Sequence, residues 1–238
     1  MNGVFARAGW GLALLLLASA AHAADAVTDA MQAAYAPYRA ALFRTNSKAQ
    51  AESEQALAAA RAQWRALTDR FGSRPGAPYD RDPGFAATLK QGDEVYARAA
   101  AQIATRQLSE AHETLEQARD LLGDLRRRNG VVTFSDHMNA YHEQMEHVLS
   151  EGPKRLAQAG GAQALIGDAA VLDYLAGRLV QQADAALRAN PEFGSLVAAV
   201  QGSAAALRTA AAGQDPAAVR EALARLKKPY SQLFLKFG

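Results

Sequence analysis

From Val27 onward, apolar positions recur at threes and fours along almost the whole chain, and the elements this spacing predicts are helices. Val27, Met31, Tyr35, Tyr38 and Leu42 mark the first, with Pro37 expected to kink it or delay its start. Thr45-Asn46-Ser47 reads as a turn able to cap a second helix, whose stripe is Leu57, Ala60, Trp64, Leu67 and Phe71. Gly72 to Pro83 holds three prolines and two glycines and reads as a loop. A third helix is expected from about Phe85 to Thr105. A fourth, capped by Ser109, carries Ala111, Leu115, Ala118, Leu122 and Leu125. Arg126-Arg127-Arg128 suits the negative end of that helix, and Asn129-Gly130 should stop it.

The fifth helix is expected from near Phe134 to near Ser150, ahead of Gly152-Pro153. Gly160-Gly161 marks a joint. Beyond it, helices fall around residues 168–189, 192–212 and 215–227, separated by Asn190-Pro191 and Gly213-Gln214-Asp215-Pro216. The apolar tail after Pro229 should dock on the body. The expected fold is all-α: an antiparallel bundle of seven to eight helices built from hairpins, divided into residues 24–152 and 161–238.

Composition sharpens this. Of the 238 residues, 57 are alanine, the best helix former, so the apolar half of the chain speaks for helices rather than strands. There is no cysteine, which excludes disulfides, thiolate zinc and iron–sulfur sites, and covalently attached haem. The net charge of +2 gives no support to a nucleic-acid binder.

Residues 1–23 read as a secretory signal peptide. Arg7 is their only charge, Leu12 to Leu17 form a short apolar run, and Ala21-His22-Ala23 offers a small-x-small cleavage point. The run is shorter than the roughly 20 residues that span a bilayer, and no span is expected after cleavage. The expected product begins at Ala24, is soluble, and is exported to a periplasm.

Chemistry concentrates in one window. Apart from His22, the histidines are His112, His137, His142 and His147, and Met138 and Met145 lie among them. On a helical wheel the two methionines fall on the core stripe of the fifth helix, where packing is their first role. His147 points to solvent and His137 lies on a flank. His142 and Glu146 share the other flank one turn apart, and His112 and Glu116 repeat that spacing in the fourth helix. Two such pairs on adjacent antiparallel helices can face each other across one seam, placing imidazole nitrogens and carboxylates around one divalent ion. The donors suit iron, zinc or copper(II). Met138 and Met145 would admit copper(I) if they converged with His142, and His137 is a lesser candidate ligand. The same residues also fit a plain surface network, since His-x-x-x-Glu is an ordinary pairing across a helix turn and Arg119 could neutralise the acids.

Residues 89–128, with Gln107-Leu108-Ser109-Glu110-Ala111 at the turn, resemble the helical hairpins of periplasmic four-helix-bundle cytochromes, of the haem-b and cytochrome c-prime types. The resemblance implies a bundle fold. It brings no haem ligands, because Cys-x-x-Cys-His is absent and no histidine lies near Leu125. No nucleotide-binding or nucleophile motif occurs, and no catalytic residue is assigned. Two functions follow as expectations. One is a periplasmic metal-binding protein using His112, Glu116, His142 and Glu146, with an envelope transporter or redox protein as partner. The other is a metal-free helical interaction module.

Overall fold

A computed structural model describes residues 25–238, and the expected export signal at 1–23 lies outside the described residues. The described residues form nine α-helices and one 3-10 turn, with no strand among them. The helices are α1 (Ala26–Asn46), α2 (Gln50–Phe71), α3 (Phe85–Ala104), α4 (Leu108–Arg128), α5 (Phe134–Leu156), α6 (Gly161–Gln182), α7 (Ala185–Ala189), α8 (Pro191–Ala212) and α9 (Pro216–Phe237). No helix among the described residues is long and apolar enough to cross a membrane.

Two quartets organise the chain. Helices α1 to α4 pack in a ring in chain order, and α5, α6, α8 and α9 pack in a second ring. The sequence boundary near residue 152 therefore runs through an element of the second quartet, since α5 packs on α6 and α9. The quartets meet where α1 lies against α9 and where side chains of α4 and α1 reach α5.

Each ring buries the stripe that its sequence spacing marks. In the first, Trp64 and Tyr96 are buried with ring centroids 5.3 Å apart. Gly92 makes room for them: a Cβ there would stand 2.1 Å from Trp64 Cζ2. In the second, Gly152 lets α9 approach α5, because a Cβ would meet Leu223 Cδ2 at 3.0 Å.

Prolines end fewer helices than expected. Pro37, Pro153 and Pro229 all lie inside helices, so α5 runs on to Leu156 and the tail after Pro229 is the C-terminal part of α9. Each costs one backbone hydrogen bond. In α9 the buried stripe Leu226, Tyr230, Leu233 and Phe234 continues straight across Pro229, and this burial holds the helix together. The expected helix at 168–189 is instead interrupted. Asp184 turns its carboxylate onto Leu187 N at 2.7 Å and starts the short α7.

Three further details differ from the spacing alone. Thr45 and Ser47 do not cap α2; their hydroxyls donate backward to Ala41, Leu42 and Phe43 carbonyls of α1. Helix α4 begins one residue before Ser109, with Gln107 at its N-cap. Between α4 and α5, Thr133 and Asp136 form a capping box, and Asp136 also takes the guanidinium of Arg126, which is 1% exposed. Asn139 and Ser135 of α5 then bond Tyr35 and Gln32 of α1 at 3.2 and 3.1 Å.

Candidate functional site

One small cavity opens where the two quartets meet. Its wall includes Leu42 of α1, His112 and Glu116 of α4, His142 and Met145 of α5, and Tyr230 of α9. Its volume is about 40 Å³, which holds a water or two or a small ion.

The site is built from the backbone of α1 outward. His112 Nδ1 lies 3.1 Å from the Leu42 carbonyl oxygen and 3.5 Å from Thr45 Oγ1. The Thr45 hydroxyl hydrogen is already committed to the Ala41 and Leu42 carbonyls. A carbonyl only accepts, so His112 Nδ1 carries the hydrogen and donates it. Burial lowers the His112 pKa from its ordinary value, against the pull of Glu116, so the ring is neutral at neutral pH. Its Nε2 then presents a bare lone pair to the cavity.

That lone pair faces Glu116 Oε1 at 3.7 Å. His142 Nε2 faces the same oxygen at 3.4 Å, from the other quartet. Both distances exceed the 2.7–3.2 Å range of an N–H···O hydrogen bond. The His142 ring lies against Tyr230, centroids 5.4 Å apart, and its Nδ1 is buried with no hydrogen-bond partner among the described residues. Tyr230 is fixed in turn by donating to the Met138 carbonyl at 3.2 Å.

Charge is balanced within the site. Arg119 Nη1 stands 3.5 Å from Glu116 Oε1, and Lys227 Nζ stands 3.0 Å from Glu146 Oε1. Burial works to raise the Glu116 carboxyl, but His142 and the Arg119 charge outweigh it and hold the pKa at about 2. Glu116 is thus a carboxylate at any physiological pH.

The structure brings His112, Glu116 and His142 together across the seam. It turns Glu146 toward Lys227. Met145 joins the cavity wall, whereas Met138 is buried outside it. His137 is half-buried near Asp136 and Arg178, and His147 is exposed against Arg155. Among the described residues, no three His, Asp or Glu side chains are disposed to hold one ion as they stand.

Sequence reasoning missed Lys227, Tyr230 and the Leu42 carbonyl. Lys227 and Tyr230 lie three residues apart on one helix face, a signal hidden by reading Pro229 as a boundary. A backbone carbonyl leaves no trace in side-chain spacing. Compared with known proteins, the chain matches no family model, no curated protein and no solved structure.

Proposed function

We propose that the protein binds a transition-metal ion, from among iron, zinc and copper, through His112 Nε2, His142 Nε2 and Glu116 Oε1. The role is metal handling in a periplasm, without catalysis. One observation carries the reading: the 3.4 and 3.7 Å separations at Glu116 Oε1. They are long for hydrogen bonds, yet two ligands on one tetrahedral ion with bonds near 2.1 Å stand about 3.4 Å apart. The bond from His112 Nδ1 to the Leu42 carbonyl supports it, since metal-binding histidines donate their other nitrogen in this way. Binding asks these side chains to move, since no group of three is disposed to hold an ion among the described residues.

The test is titration of the metal-free protein with zinc(II), with thermal melts in the presence and absence of chelator. One ion per chain is expected, with a rise in melting temperature that is lost in His112→Ala and His142→Ala. A folded protein that binds no metal and melts identically with chelator overturns the reading.

A second reading has its own support. Arg119 already compensates Glu116, and no three-ligand group is preformed among the described residues. In that reading the network is a metal-free tie between the quartets of an interaction module, and the same titration decides between the two.

A further inference from the structure

We infer that the ion taken by this site is copper(I), with Met145 supplying a sulfur donor. The inference rests on the metal-binding reading above and deepens it.

Met145 follows His142 by three residues, so both project on one side of α5. It is fully buried, yet it borders the same cavity as His112, Glu116 and His142. Met138 makes the contrast. It is equally buried on the same helix, but it does not border the cavity, and its carbonyl is taken by Tyr230. Only one of the two methionines is thus placed beside the imidazoles. A thioether is a soft donor that selects copper(I) over zinc or iron, while imidazole serves all three.

Charge separates the candidates independently. Arg119 faces Glu116, and Lys227 faces Glu146, so each carboxylate already has its cation. A divalent ion would bring two further positive charges between a guanidinium and an ammonium. A cuprous ion brings only one, and a thioether donor adds no charge of its own. The small cavity adds to this, since it has no room for the water shell that hard cations keep.

The experiment uses the full-length, metal-free protein under anaerobic reducing conditions. Copper(I) is competed against a chromogenic chelator, with zinc(II) titrated in parallel. Copper(I) should bind one per chain, with a sulfur scatterer in its X-ray absorption spectrum. Met145→Leu conserves volume, and it should weaken copper(I) about tenfold or more while leaving zinc(II) within about twofold. Met138→Leu makes the same chemical change outside the cavity and should leave copper(I) affinity unchanged. Matching melts of the two metal-free variants show that each is folded. Zinc(II) binding without copper(I) binding, or copper(I) binding indifferent to Met145→Leu, overturns the inference and leaves the metal reading standing. Binding of neither ion overturns both.

Discussion

His112 of α4 donates its Nδ1 hydrogen to the carbonyl oxygen of Leu42 on α1, across 3.1 Å. The bond does two things at once. It ties the first and last helices of one quartet, and it fixes which ring nitrogen is free. Nε2 is left bare beside Glu116, a carboxylate that cannot donate to it.

The first prediction is the tautomer itself. Nitrogen-15 NMR of the metal-free protein at neutral pH should find His112 neutral with its hydrogen on Nδ1. A dominant Nε2–H form would contradict the arrangement at Leu42.

Acid should weaken the fold through the same residues. His112 has a folded pKa below 6.5, so the unfolded chain binds its proton more readily, and its contribution is lost as pH falls below that value. Glu116 moves from 4.5 to about 2 on folding, so its contribution is full above 4.5 and is lost as pH falls toward 2. After solvent screening, the Glu116 share is about 1–2 kcal/mol. Wild type should therefore exceed Glu116→Gln by that amount at pH 7, and the gap should close in denaturation curves taken toward pH 2. A gap constant with pH would rule out the linkage.

Arg126 and Asp136 make the tie between the two quartets at the α4–α5 turn. Asp136→Ala strands a buried guanidinium and removes half of a capping box. The cost should be about 3 kcal/mol or more in urea denaturation, against a few tenths for Asp124→Ala on the exposed side of α4. Equal costs for the two would show that burial at Arg126 carries no weight.

Two glycines should respond with opposite signs. Gly92→Ala forces a Cβ to 2.1 Å from Trp64 and should cost about 1–3 kcal/mol or more. Gly167→Ala, inside α6 with nothing within 4 Å of the new Cβ, should stabilise by about 0.5–1 kcal/mol. Thermal melts of the two variants check both, and the expectation fails if Gly92→Ala melts at or above wild type.

Much of the fold was legible because alanine-rich helices with clean stripes leave little ambiguity of type. Leu57, Trp64 and Phe71, or Leu115, Leu122 and Leu125, are buried as their spacing requires. What misled was punctuation. Proline reports a local cost of one hydrogen bond, whereas continuity across Pro229 is decided by burial on either side, which is a tertiary quantity. The meeting of His112, Glu116 and His142 followed from the four-residue spacing shared by α4 and α5. The partner of Glu146 did not, because Lys227 comes from a helix 81 residues further along the chain, and only the closing of the second ring brings it near. Composition concentrated attention on residues 112–147, but more than half of the cavity wall comes from α1 and α9, where nothing in the residue types stood out.

The cavity belongs to neither quartet. Its nitrogen and oxygen donors come from α4 on one side and α5 on the other. Any ligand bridging His112 and His142 is therefore linked to the docking of the two halves by one thermodynamic cycle. Whatever strengthens the docking raises affinity, and occupancy strengthens the docking by the same factor. Affinity at this site would then work as a gauge of how firmly the halves hold together. Changes as distant as the Arg126–Asp136 tie would register in it without touching a single ligand.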